Sequence, residues 1–217
     1  MFIKSVLVLN LKNYENALLG NALVFLDVLE KFFENFNVEV FLVPNVLDLK
    51  EVAFKARNVK ILSPVALFSD FGPYTGSFSV ETLKKIGVCG VLMNHSENSF
   101  VDEKIKNILE IDDFIKILCL SSDRKLEFLD DYVIDYIAVE PPSYIGKKCC
   151  VLDDEPEFLK PYVKKYKNVL IGAGISSGKD VNNAMKEGAM GILIASAVVL
   201  AEDPYLKLAE LFAGFRK

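Results

Sequence analysis

The chain alternates from end to end between short apolar runs and segments with helical periodicity. Eight runs have the length and the β-rich composition of buried strands: 6–10, 38–43, 60–65, 90–94, 114–119, 136–140, 169–172 and 191–194. The amphipathic segments between and after them are 16–33, 47–56, 80–86, 102–109, 124–129, 156–165, 179–187 and 205–212. Eight β-then-α units without a linker predict one α/β domain over residues 1–217, folded as a (β/α)8 barrel.

A doubly wound open sheet is the structural alternative to this barrel. Such a sheet usually has a glycine-rich turn after its first strand. Residues 10–14 occupy that place here and contain no glycine. The barrel is therefore favoured, and its functional residues are expected at the carboxyl ends of the strands.

Composition narrows the classes of function. The 217 residues are 52% hydrophobic, so the chain can bury a sizeable core. The net charge is −5, from 25 basic and 30 acidic residues, and no basic block suggests a nucleic-acid partner. No apolar run is long enough to predict a membrane span, and the N-terminal residues lack signal-peptide features. We expect a cytoplasmic protein with no membrane partner.

The four cysteines do not suggest a metal site. Cys89 and Cys119 lie in apolar, strand-like surroundings and are predicted to be buried small hydrophobic residues. Cys149 and Cys150 are adjacent, so they cannot supply the spaced ligand pairs of a zinc site.

Two basic side chains lie at predicted strand ends. His95 is the only histidine and is followed at once by polar residues. Its ordinary pKa lies nearest neutrality, which suits proton transfer, although a core histidine bonded to a carbonyl is the structural alternative. Side-chain alternation places Asn10 and Lys12 on the face of Val6 and Val8. A buried Lys12 would need a partner, whereas a lysine beyond the strand would be solvated.

Glu140 ends the sixth predicted strand. Pro141 and Pro142 follow it, and prolines stop a strand and stiffen the next loop. A carboxylate beside apolar walls has a raised pKa, which suits a general base. An exposed glutamate at a strand end is the alternative.

Two segments rich in small residues include the ends of the last two strands: 171–180 leads from the seventh strand into a helix, and 191–199 is the eighth strand running straight into another helix start. Small residues let backbone amides approach a ligand, and the loops after strands seven and eight of such barrels recurrently bind phosphate. A base, an imidazole, a lysine and a phosphate site together suit proton abstraction beside a carbonyl in a small sugar phosphate.

Several motifs in a fixed order carry a family resemblance. They are Asn10-Leu11-Lys12, Gly72-Pro73-Tyr74-Thr75-Gly76, Asn94-His95-Ser96-Glu97, Ala138-Val139-Glu140-Pro141-Pro142, Ile145-Gly146, Gly172-Ala173-Gly174-Ile175 and Ala195-Ser196. They span nearly the whole chain, which resembles the triosephosphate isomerases of the short archaeal type. The length and the absence of tryptophan agree with that type.

The resemblance implies a TIM barrel that interconverts dihydroxyacetone phosphate and D-glyceraldehyde 3-phosphate through an enediolate, without a cofactor. By the established chemistry of this family, Glu140 would remove a carbon-bound proton and a neutral His95 would polarise the carbonyl. Lys12 would stabilise the developing negative charge. Asn10 would position Lys12 and substrate, and Glu97 would pair with the lysine.

The resemblance also implies a phosphate site, a lid and a subunit interface. Backbone amides around five residues would hold the phosphate: Ile145, Gly146, Gly174, Ala195 and Ser196. Residues 141–148 would form a lid that closes over the substrate. Thr75 would reach toward a neighbouring subunit in a homodimer or homotetramer. Relatives commonly have glycine where Lys148 stands, so we expect the motion of the lid to differ here.

Two other functions share part of this pattern. The phosphate-binding barrels of histidine, tryptophan and thiamine biosynthesis share the last two turns, but not Lys12, the His95 motif and Glu140 together. A barrel that binds a phosphometabolite without catalysis is the alternative outside the enzymes. Binding of a phosphate ligand without turnover would favour it.

Overall fold

The computed structural model describes residues 4–65, 71–73, 75, 79–121, 126–145, 149–172 and 174–215. In these ranges eight parallel strands, β1 to β8, form a closed barrel in chain order, which confirms the predicted fold. The strands are β1 Ser5–Asn10, β2 Val38–Val43, β3 Lys60–Ser63, β4 Gly90–Met93, β5 Ile115–Leu120, β6 Tyr136–Val139, β7 Val169–Ile171 and β8 Gly191–Ile194.

Helices surround the barrel and connect its strands. The α-helices are α1 Ala22–Asn35, α2 Leu49–Lys55, α3 Val80–Lys85, α4 Asp102–Leu109, α5 Val151–Asp154, α6 Lys160–Lys165, α7 Gly178–Lys186, α8 Ser196–Val199 and α9 Pro204–Ala213. Short 3-10 helices cover Glu15–Ala17, Ser96–Asn98, Glu127–Asp131 and Pro142–Tyr144. Within the described ranges, no helix is long and apolar enough to cross a bilayer.

The core has two layers, as the alternation along β1 predicts. Val6 and Val8 point into the barrel, where they pack with Phe41 of β2. Leu7 and Leu9 point outward into the larger cluster between the strands and the helices. Because both faces of each strand are covered, the strands are almost uniformly apolar.

Closure joins the first and last parts of the chain. β1 pairs with β8, with Val6 opposite Gly191. Phe32 of α1 stacks on Phe212 of α9 with ring centroids 4.8 Å apart. The first and last β/α units therefore pack against each other directly.

A polar contact crosses the barrel at the amino ends of its strands, which we call the floor. The Tyr136 hydroxyl donates a hydrogen bond of 2.7 Å to Oε2 of Glu39. Lys60 also pairs with Glu39. β6 and β2 are four strands apart in an eight-stranded barrel, so the Tyr136 bond joins opposite walls.

Three predicted helices differ from the structure. The segment 16–33 is broken before α1, where Leu19 and Gly20 have φ of 52° and 91° and both amides donate to Asp48. The segment 156–165 is helical only from Lys160, because Pro161 lacks an N–H and fits the first turn of a helix. The segment 124–129 contains a 3-10 helix beginning at Glu127, while residues 122–125 lie outside the described ranges.

Candidate active site

A cavity of about 840 Å³ opens at the carboxyl ends of the strands, the end that we call the mouth. It brings together eight of the predicted site residues. These are Asn10, Lys12, His95, Glu140, Ile145, Gly174, Ala195 and Ser196. The remaining predicted substrate-binding residue, Gly146, lies outside the described residues.

His95 sits between the end of β4 and the 3-10 helix at Ser96–Asn98. Its Nδ1 accepts a hydrogen bond of 3.2 Å from the backbone N–H of Glu97. A neutral imidazole that accepts at Nδ1 carries its proton on Nε2. Burial lowers the pKa of His95 to about 4, and the nearby Lys12 charge acts in the same direction. At neutral pH the ring is therefore uncharged and offers an Nε2–H group.

Glu140 directly follows β6, and its backbone N–H donates to the carbonyl of Leu120 at the end of β5. Its Oε2 lies 3.3 Å from Nε2 of His95. Oε2 is buried and has no hydrogen-bond partner among the described residues. Burial raises the pKa of Glu140 to about 7, although the Lys12 charge and a hydrogen bond with Cys119 oppose this rise. A buried carboxylate oxygen of this kind can accept a proton from a ligand.

Two neighbours of Glu140 were missed as site residues by the sequence interpretation. Cys119, predicted only as a buried hydrophobic residue, is buried, and its thiol lies close enough to Glu140 to lower the pKa of that carboxyl. Gly172, at the end of β7, lies so close that an added Cβ would be 2.4 Å from Oε1 of Glu140. The alternation of side chains along β5 could have identified Cys119 as inward-facing. The closeness of Gly172 to Glu140 could not have been found in this way, because no pattern in the sequence around Gly172 indicates it. Cys89, predicted to be buried, is partly exposed because it precedes β4 at the floor.

Lys12 lies beyond the end of β1 in a left-handed backbone conformation, with φ of 52°. Its backbone N–H donates to Oδ1 of Asn10 at 3.0 Å, which fixes this turn. The Nζ atom lies 2.7 Å from Oε1 of Glu97, and the lysine side chain is only 14% exposed. The lysine is thus paired at the mouth and is not the solvated side chain of the alternative interpretation.

Small residues line the side of the cavity at the ends of β7 and β8. Gly174 has φ of 83°, and an added Cβ would lie 1.9 Å from the carbonyl oxygen of Cys149. Only glycine therefore allows this close approach. Ala195 and Ser196 lie where β8 meets α8. The first amides of a helix have no partner within the helix and can bind a ligand.

Thr75 is exposed and is not among the residues that line the cavity. Its neighbours Tyr74 and Gly76, which belong to the same predicted motif, lie outside the described residues.

The fold and the cavity are those of the class of barrel enzymes. Barrel enzymes place catalytic groups on the loops at the carboxyl ends of the strands. A carboxylate with a pKa near 7 beside a neutral imidazole suits the transfer of protons to and from a small ligand.

Comparisons with known proteins identify the family within this class. The model of the triosephosphate isomerase family matches residues 5–212. The triosephosphate isomerase of Methanothermus fervidus is 34% identical, over 96% of this chain and 97% of its own length. That of Thermoplasma volcanium is 33% identical over 94% and 97%, and that of Methanopyrus kandleri is 33% identical over 95% and 96%. The chain belongs to the triosephosphate isomerase family and is an isomerase.

Proposed function

We propose that Glu140, His95 and Lys12 carry the isomerase reaction of this chain, each with a separate task. The reaction interconverts dihydroxyacetone phosphate and D-glyceraldehyde 3-phosphate through an enediolate, a step of glycolysis and gluconeogenesis. The observation that carries this proposal is the buried Oε2 of Glu140, which accepts no hydrogen bond from the part of the chain that the structure describes and lies 3.3 Å from the Nε2 of His95.

Glu140 is the proposed base. It would take a proton from the carbon next to the carbonyl and return it to the neighbouring carbon. The pKa of about 7 supports this task, because a base works best when its pKa lies near the operating pH.

His95 is the proposed electrophile, as in the established chemistry of this family. A neutral ring with its proton on Nε2 can donate a hydrogen bond to the carbonyl oxygen. It can then move protons between the two oxygens of the enediolate. The Glu97 N–H on Nδ1 supports this assignment, because it leaves Nε2 as the donor.

Lys12 is proposed to stabilise the negative charge that develops on the enediolate oxygens. Asn10 would hold the lysine turn through its bond to the Lys12 amide, and Glu97 would hold the ammonium group. The phosphate would bind at the opposite side of the cavity, on amides around the predicted residues Ile145, Gly146, Gly174, Ala195 and Ser196.

We also propose a homodimer or homotetramer that works in the cytoplasm. Leu19 and Leu47 are 80% and 76% exposed, and Asp48 joins the two loops that carry them by accepting bonds from the amides of Leu19 and Gly20. Such an apolar pair near the mouth suits contact with a second copy of the chain. Residues 1–217 are taken as one domain, because the first and last strands pair.

The proposed roles are tested by isomerisation of D-glyceraldehyde 3-phosphate in D2O by the purified chain and by Glu140→Gln. We expect the native chain to form product that carries deuterium on carbon, and Glu140→Gln to lose this turnover. Glu39→Gln, which changes a carboxylate at the floor, is the matched control and should keep it. Turnover that persists in Glu140→Gln would remove this residue from the role of base. Binding without turnover in the native chain would favour the non-catalytic alternative.

A further inference from the structure

Asn94 has a backbone conformation that most side chains avoid. It lies between the last residue of β4 and His95, and its φ is 58°. This left-handed conformation is costly for most L-residues, but glycine, asparagine and aspartate adopt it more readily. The turn at Asn94 directs the chain from the barrel wall into the loop that carries the imidazole.

The side chain of Asn94 is buried, with 6% exposed, and forms hydrogen bonds with both Cys119 and Phe100. Its Nδ2 donates to the carbonyl oxygen of Cys119 at 2.9 Å, and its Oδ1 accepts from the N–H of Phe100 at 3.0 Å. The second bond spans the whole loop from His95 to Ser99. Both ends of that loop are therefore fixed to one side chain.

The bond to Cys119 links the two sides of the site. The register that pairs Met93 with Leu118 brings the next residue, Asn94, beside Cys119. The thiol of Cys119 lies close enough to Glu140 to lower the pKa of that carboxyl, and the N–H of Glu140 donates to the carbonyl oxygen of the next residue, Leu120, at 3.1 Å. One amide group thus connects the turn before the imidazole to the strand that contacts the carboxylate.

We propose that Asn94 is a positioning residue for the isomerase reaction, which holds His95 and Glu140 at a fixed separation. The inference rests on the roles proposed above for those two residues. Asn94 does not line the cavity, so it acts through its neighbours and not on the substrate.

Two variants separate the parts of this role. Asn94→Gly keeps the left-handed turn and removes both hydrogen bonds. Asn94→Asp keeps an acceptor for Phe100 and removes the donor to Cys119. We expect Asn94→Gly to lower kcat about ten- to a hundredfold, because small displacements of reacting groups are costly, with a smaller change in KM. We expect Asn94→Asp to lower kcat as well, with the His95 loop still fixed.

The imidazole gives a direct readout, because His95 is the only histidine in the chain. In ¹⁵N NMR spectra the native chain should show one neutral tautomer, protonated on Nε2. Asn94→Gly should show averaged or broadened ring signals, and Asn94→Asp should keep the native ones. The matched control is Asp113→Gly, another residue with positive φ (53°), which is exposed at the floor end and should change neither kcat nor the ring signals.

Native kcat and native ring signals in folded Asn94→Gly would overturn the inference. If that variant does not fold, native kcat in Asn94→Asp would overturn it instead. The inference alone fails if Glu140→Gln loses turnover while the Asn94 variants keep it. Turnover retained by Glu140→Gln would instead contradict the proposed function.

Discussion

Burial makes Glu140 easier to protonate in the folded chain than in the unfolded chain. Its pKa rises from the ordinary 4.5 to about 7, a difference worth about 3 kcal/mol. Because the folded pKa is the higher one, this group stabilises the fold fully only below about pH 4.5. That stabilisation is lost as the pH rises through about 7. The feature that makes Glu140 a suitable base therefore weakens the fold at the pH where the base is ionised.

Glu140→Gln should accordingly unfold less readily than the native chain at pH 8. We expect a gain of about 1–3 kcal/mol in the free energy of unfolding at pH 8, and a much smaller difference at pH 4.5. Urea unfolding at the two pH values measures this.

Glu39→Gln is the control of opposite sign for this measurement. Burial raises the pKa of Glu39, but the hydrogen bonds from Lys60 and Tyr136 more than offset this and leave it lowered. Glu39→Gln should therefore destabilise the chain at pH 8. An equal effect of Glu140→Gln at both pH values would contradict the linkage argument.

At the scale of the element, the ends of the strands carry the site. The predicted ends of β4, β6 and β7 lie one residue too far along the chain, at Asn94, Glu140 and Gly172. Each of these residues instead begins a loop. Apolar periodicity does not reveal the difference, because a residue just past a strand can be as buried as one within it. Asn94 and Glu140 are 6% and 7% exposed.

The sequence therefore predicted which strand ends line the cavity, but not how neighbouring ends contact one another. His95, Glu140 and Lys12 stand out because a polar residue after an apolar run is visible locally. The contacts of Glu140 with Cys119 and Gly172 depend on the register between strands, which no local pattern records. The catalytic roles proposed for His95, Glu140 and Lys12 remain predictions.

Gly172→Ala tests the contact between the ends of β7 and β6. The new methyl group would lie 2.4 Å from Oε1 of Glu140, so the carboxylate must move. We expect kcat to fall about a hundredfold, with a smaller change in KM, in steady-state assays.

Gly87→Ala is the matched control for this substitution. Gly87 has φ of 91°, and an added Cβ there would lie no closer than 3.6 Å to its nearest neighbour. That variant should lose stability through backbone strain while its kcat stays native. Native kcat in Gly172→Ala would show that the carboxylate relocates without cost.

At the scale of the whole molecule, the two ends of the barrel differ in construction. The floor is joined across its width by the bond from Tyr136 to Glu39. The mouth holds an open cavity bounded by loops. By the roles proposed above, the contacts at the mouth serve the reaction, and we expect those at the floor to serve folding.

Tyr136→Phe should separate these two tasks. Removing a hydroxyl that donates to a carboxylate should lower the free energy of unfolding by about 1–2 kcal/mol. The kcat of the folded fraction should stay native, since the cavity lies at the other end. Thermal unfolding and a steady-state assay measure the two effects, and a large loss of kcat would mean that the floor influences the site.

The proposed oligomer is tested with Thr75→Arg, which places a bulky charge in the predicted contact loop. We expect sedimentation to give the mass of a single chain and the specific activity to fall. Val133→Arg, at an 88% exposed position just before β6, is the matched control and should keep both values. Full activity in a single-chain species would refute the interface.

The crossing bond at the floor has a consequence for how such a chain can change over generations. Because it braces the barrel far from the mouth, substitutions in the loops around the cavity leave the brace untouched. During selection for a different substrate, residues at the mouth can therefore be substituted while the chain still folds. By the same separation, we expect substitutions that add contacts at the floor to raise heat resistance while kcat stays unchanged.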